Sequence, residues 1–85
     1  MQFNPGDKLQ LNPIVLEEDP RKNNHHLYER ILKENREGTV VRLDNSYEWF
    51  GEDCFWVKFN YATILLSEKH FHLIKEDWLK KIILP

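Results

Sequence analysis

The chain has 85 residues, with three Trp, three Tyr, five Phe, a single cysteine and a formal net charge of −2. That length supports one domain burying roughly 60–65% of its unfolded surface, so aromatic side chains must supply much of the core. The charge balance shows no overall basic character for neutralising phosphates, the lone Cys54 excludes an internal disulfide and suits a reducing compartment, and no apolar run approaches the ~18 residues of a membrane helix.

Residues Met1 to Gly6 lack the basic and apolar regions of a secretory signal, and a cytoplasmic location is the expectation. Asn4-Pro5-Gly6-Asp7 reads as a turn feeding a strand, Lys8 to Asn12, in which Leu9 and Leu11 share a face. Pro13 ends that strand or marks an edge, and Ile14, Val15 and Leu16 are expected to resume it after a bend. Glu17 to Asn24 holds three acids, then two bases, and no apolar residue, which is the composition of an exposed loop or of a recognition loop.

From His25 to Arg36 the period changes. Leu27, Tyr28, Ile31 and Leu32 form a helical stripe, while Glu29 with Lys33 and Arg30 with Glu34 are i,i+4 pairs of opposite charge. Asn23 or Asn24 is placed to cap this short helix and Gly38 to end it. Gly38 to Asp44 opens the central strands, and Asn45 to Asp53 reads as a loop rich in aromatics and acids. The next strand, Cys54 to Phe59, puts Phe55, Val57 and Phe59 on one face and Trp56 on the other. Asn60-Tyr61 is a tight turn, and Ala62 to Leu66 is apolar enough to be buried on both faces. Ser67-Glu68-Lys69 is read as a single helical turn, His70 to Ile74 as a last strand, and residues 76–84 as a terminal helix with acids first and bases last; one helix from Ser67 to Leu84 is the alternative.

Gly6-Asp7-Lys8-Leu9, Gly38-Thr39-Val40-Val41, Val57-Lys58-Phe59 and Glu68 to Ile74 together resemble a small SH3-like β-barrel. A small barrel protein of photosystem I, the variable chain of ferredoxin–thioredoxin reductase, nitrogen-fixation accessory proteins and KOW-type and Tudor-like domains share that pattern. The resemblance implies a mostly β (α+β) fold over residues 1–85. The barrel core then covers about residues 6–16 and 38–74, with a helix inserted at about 25–36 in the first long loop and a short C-terminal helix at about 76–84. It also implies a binding module rather than an enzyme, and it carries over no functional residue.

The chemistry-bearing groups are sparse. His70 and His72 share a face if both lie on a strand, a spacing that suits Zn or Cu, with His25, His26 and Cys54 as further ligands; the plain alternative is a solvated strand face. Cys54 has no local oxyanion turn to make it a nucleophile, and Glu48, Glu52 and Asp53 read as a solvated acidic loop rather than an acid–base pair. Tyr47, Trp49, Phe50, Glu52 and Trp56 form the expected partner-binding surface, since aromatics concentrate at interface centres. Trp78, Leu79, Ile82 and Ile83 form a second apolar candidate surface, for a partner or a homodimer.

The expected function is a non-catalytic protein-interaction module, an accessory subunit, adaptor or small inhibitor of a larger complex, with no cofactor. Nucleic-acid binding through Arg21, Lys22, Arg30, Lys33, Arg36 and Arg42 is the first alternative, a methylated or free amine held among aromatics and acids a further one, and a His-based metal site another.

Overall fold

The computed structural model describes residues 3–49 and 51–74, with the side chains of residues 47–49 left aside. Phe50 and everything from residue 75 onward lie outside the described residues, and with them the expected terminal helix and the surface of Trp78, Leu79, Ile82 and Ile83. The fold is mostly β: five antiparallel strands in one sheet, with helical turns between the first two and before the last. Strands β1 (Lys8–Leu11), β2 (Glu37–Trp49), β3 (Glu52–Phe59), β4 (Ala62–Ser67) and β5 (Phe71–Leu73) lie side by side in the order β4-β3-β2-β1-β5. Among the described residues no helix is long and apolar enough to cross a membrane.

Alternation places the core as expected. Phe55, Val57 and Phe59 point inward against Val40, Leu9, Leu11, Ile64 and Leu66, all buried. Phe55 of β3 and Phe71 of β5 meet edge to face at 5.8 Å although β2 and β1 lie between their strands, and Phe3 packs on both at 5.4 and 4.8 Å. The sheet therefore curls enough to bring the inner-face rings of β3 and β5 together, which adds specific ring contacts to the area buried. β4 is buried on both faces from Ile64 to Ser67, while Ala62 is half-buried and Thr63 exposed, so the burial expected over Ala62 to Leu66 holds only beyond Thr63.

The excursion between β1 and β2 departs from the sequence reading. Ile14 to Leu16 does not resume the strand: Asn12 Oδ1 accepts from Ile14 N at 3.1 Å, and one helical turn, α1 (Val15–Glu18), follows. Residues 17–24 are not a solvated loop either, because Asp19 is 2% exposed. Its carboxylate accepts from the Arg21 guanidinium at 3.0 Å and from the Tyr28 hydroxyl, and its backbone carbonyl accepts from His25 Nε2 at 2.8 Å. Arg21 also donates to the Leu65 carbonyl at 2.6 Å, so the excursion is bonded to β4 across 44 residues of chain. Beside it, His70 Nε2 donates to Glu18 at 3.2 Å.

Helix α2 (His25–Lys33) buries Tyr28 and Ile31, as its stripe requires, while the Asn24 side chain makes no capping bond to it. Asn35, not Gly38, ends it. Asn35 stands at φ 51°, and Arg36 N donates to Ile31 O at 3.1 Å and Asn35 N to Leu32 O at 3.2 Å, a Schellman closure that asparagine tolerates. Gly38 instead lies inside β2, where a Cβ would come within 2.7 Å of Val57 Cγ1 and 2.8 Å of Phe59 Cε1.

The electrostatics of the excursion follow from burial. Burial pushes the Asp19 carboxyl upward, but hydrogen bonds from Arg21 and Tyr28 and the Arg21 charge outweigh it and hold it below its ordinary value of 3.8. Stability from this group is present above that value and lost as pH falls through the lowered one. Burial pushes the His70 imidazole below its ordinary 6.5 against the pull of Glu18, so acidification below that value also costs stability.

Two substitutions test these constraints in urea denaturation. Gly38→Ala forces Val57 and Phe59 aside and is expected to cost about 1–3 kcal/mol, whereas an unchanged midpoint would show that the strands part freely there. Asp19→Ala removes the acceptor shared by Arg21 and Tyr28 and is expected to cost about 2–3 kcal/mol, with Asp19→Asn intermediate. A loss under about 0.5 kcal/mol would place Asp19 among ordinary surface acids.

Candidate interaction surface

The outer face of the sheet is built by cross-strand register. Lys8 of β1 faces Thr39 of β2, Thr39 faces Lys58 of β3, and Lys58 faces Thr63 of β4, which makes one continuous rung. The next rung is Arg42, Trp56 and Leu65, and the one after it Asp44, Cys54 and Ser67. Directly opposed residues share a face and sit roughly 4.5–5.5 Å apart at Cβ, so these side chains are neighbours. Lys8, Lys58 and Thr63 are exposed, Trp56 is half-buried, and Cys54, Leu65 and Ser67 are buried.

A β-bulge sets this pattern. The register steps from Val40 opposite Val57 directly to Arg42 opposite Trp56, leaving Val41 as the extra residue, 43% exposed. Without the bulge Arg42 would point into the core. With it, the Arg42 guanidinium carbon lies 5.8 Å from the Trp56 ring centroid, and Trp56 Nε1 donates to Asp44 Oδ2 at 3.1 Å. Asp44 also accepts from the Ser46 hydroxyl and from Ser46 N at 3.1 Å, and these bonds, Ser46 first and Trp56 second, hold its carboxyl below the ordinary value. The indole is thus fixed on both sides.

The expected loop 45–53 is mostly strand. After an irregularity at residues 45–47, β2 continues to Trp49, whose partner across the ladder is Glu52, and Gly51 turns the chain at φ 71°. Of the expected contact residues, Trp49 and Glu52 are brought opposite each other at the hairpin tip, and Tyr47 lies in β2. Trp56 lies on the same face of β3 as Glu52, four residues along, or about 13 Å. Lys8, Thr39, Arg42, Asp44 and Lys58 join it; none stood in the expected partner-binding set, and Arg42 entered only among the cations of the nucleic-acid alternative. The parity of Lys58 with Trp56 was the available signal.

The tip carries its own electrostatics. Glu52 lies 3.9 Å from Lys69 and hydrogen-bonds Glu68 in the 3-10 turn Glu68–His70. That bond, burial and the charges of Glu52 and Asp53 push the Glu68 carboxyl up to about 7. At the opposite end of the face an open cleft of 750 Å³ is lined by Glu34, Arg36, Glu37, Thr39, Lys58 and Asn60. Beside it, on α2 and the β3–β4 turn, Arg30 lies 4.0 Å from the Tyr61 ring centroid.

The histidines are placed differently from the expected strand pair. The last strand begins at Phe71, so His70 belongs to the 3-10 turn and is buried against Glu18, while His72 is exposed on β5 opposite Gln10. Among the described residues no group of three or more His, Cys, Asp or Glu is placed to hold a metal ion. Cys54 is buried, with its Sγ 3.9 Å from the Glu52 carbonyl. Comparison with protein-family models, curated proteins and solved structures finds no match to this chain.

Glu68 gives a pH prediction of definite sign. Its folded pKa of about 7 lies above the ordinary 4.5, so its contribution is full below 4.5 and is lost as pH rises through 7. Glu68→Gln is therefore expected to raise the melting temperature above pH 7 and to leave it nearly unchanged below pH 4.5. Equal shifts at both pH values would show that Glu52 and Glu68 share no proton.

Proposed function

We propose that the chain is a non-catalytic protein-interaction module, an accessory subunit, adaptor or small inhibitor that docks on a larger protein complex. The observation that carries this reading is Trp56, an aromatic ring in the middle of a sheet face, held by Asp44 on one side and Arg42 on the other. Interfaces take most of their energy from a few aromatic and arginine side chains near their centre. A side chain already held in place loses less entropy on binding than a mobile one.

The strand arrangement supports an SH3-like barrel as the scaffold. A long excursion follows β1, the hairpins β2–β3 and β3–β4 follow in turn, and a 3-10 turn leads into a short last strand that pairs with β1. In that reading the hairpin tip with Trp49 and Glu52 forms one border of the contact surface and Trp56 its centre.

The test is capture from native lysate by immobilised protein, comparing wild type with Trp56→Ala and Trp49→Ala, each checked for an unchanged thermal melt. Trp56→Ala is expected to weaken the retained partner by about 2 kcal/mol, roughly 30-fold in Kd. Retention of the same proteins at the same yield by folded Trp56→Ala would overturn Trp56 as the centre of binding.

A further inference from the structure

We infer that Arg21 guards the edge of the sheet: its guanidinium occupies the outer side of β4 and keeps that strand from pairing with β4 of a second copy of the chain. The inference concerns the edge of the sheet rather than its Trp56 face, and it stands apart from the proposed function.

Among the described residues β4 ends the sheet on one side, with β3 as its neighbour. Its sequence, Ala62-Thr63-Ile64-Leu65-Leu66-Ser67, holds no charge, no proline and no glycine. An uncharged apolar segment of that length on a sheet edge is the pattern that accepts a further strand, and a second copy supplies an identical one. In an antiparallel ladder the N–H and C=O of one residue point to the same side, and successive residues alternate. The two-residue turn Asn60-Tyr61 makes Phe59 and Ala62 the closing pair, so Ala62, Ile64 and Leu66 bond to β3 while Thr63 and Leu65 turn their backbone groups outward. The bond from Arg21 Nη2 to the Leu65 carbonyl agrees with that direction. Two copies related by a two-fold axis at Ile64 set Thr63 opposite Leu65, and the Thr63 N–H of one then needs the Leu65 carbonyl of the other.

That carbonyl is taken. Arg21 reaches it at 2.6 Å and is itself held by Asp19, from Nε at 3.1 Å and from Nη2 at 3.0 Å. Because Asp19 is buried and also bonded by Tyr28, the guanidinium is fixed from behind and does not yield the carbonyl by a simple side-chain rotation. An arriving strand has to break a charge-assisted hydrogen bond and offer a neutral N–H in its place. At the start of the same strand Arg30 stands 4.0 Å from the Tyr61 ring centroid, so two arginines of the excursion bracket the exposed Thr63. Charge at a strand edge opposes pairing because a second strand strips it of water. The Arg21 bond therefore places the excursion on the sheet and closes the edge of β4 at once.

The experiment measures sedimentation velocity and amide hydrogen exchange of the full chain as wild type, as Arg21→Met, and as Arg21→Met with Thr63→Pro, each checked by its thermal melt. Wild type is expected to sediment as a single chain of 10.4 kDa at every concentration. Arg21→Met is expected to double in mass as concentration rises, with exchange of the Thr63 amide slowed roughly tenfold or more. Thr63→Pro removes an outward N–H without touching the β3 ladder, and it is expected to return the Arg21→Met chain to the single mass. Arg21→Met leaves a buried carboxylate without its cation, so Asp19→Asn with Arg21→Met serves the same purpose should the single variant unfold. A folded Arg21 variant that remains a single chain overturns the inference. So does an assembly that Thr63→Pro leaves intact, or one through β4 already present in the wild type.

Discussion

The buried carboxylate of Asp19 is the interaction on which the excursion between β1 and β2 depends. That segment leaves the sheet after Leu11 and must return at Glu37 in register with Gln10. Its helices are too short to be stable alone, since α1 is a single turn and α2 has nine residues. What fixes them is Tyr28 and Ile31 in the core and one acid that gathers Arg21, Tyr28 and, through its carbonyl, His25. Because Arg21 reaches on to the Leu65 carbonyl, the same acid positions the helical excursion on β4. The bonds satisfy groups that would be costly to bury alone, and they define one placement where apolar packing tolerates several.

How much of this was legible depended on whether the signal was local. Phe55, Val57 and Phe59 alternate over a regular strand, and their inward direction follows from that period alone. The tight turn at Asn60-Tyr61, the apolar run of β4 and the helical turn at Glu68 were legible for the same reason. Asp19 was not. A run of three acids followed by Pro and two bases has the composition of a solvated loop, and only the meeting of Asp19 with Tyr28 and Leu65 in space reverses that reading. Ile14 to Leu16 failed differently: an apolar triplet after Pro13 fits a strand or a helical turn equally, and the Asn12 side-chain bond decides it. Gly38 and Asn35 exchanged roles, because asparagine also reaches the left-handed region and a glycine was needed more where β2 crosses Phe59.

The surface shows the same division. Trp56 and Lys58 share a parity within β3, so their common face was available from spacing. Arg42 was hidden by the bulge. Counting alternately from Thr39 sends Val41 and Leu43 outward and Arg42 inward; the extra residue at Val41 reverses the assignment beyond it. One inserted residue therefore decides whether the indole stands alone or beside a guanidinium. Rungs that join three or four strands are products of register, and a sequence read strand by strand does not contain them.

The proposed surface is polar in direction as well as composition. Glu52 and Glu68 stand at the hairpin tip, Lys8 and Lys58 toward the opposite end, and Trp56 between them. An aromatic centre alone would accept a bound segment in either orientation, because burying apolar area has no preferred sense along the chain. Charged side chains that differ along the strands, carboxylates at the tip and lysines with Glu37 beyond Trp56, are what a partner has to match in one orientation. On this reading the division of labour is physical. The indole supplies contact area, its two polar neighbours remove its freedom before binding, and the charged groups around it set which partners fit.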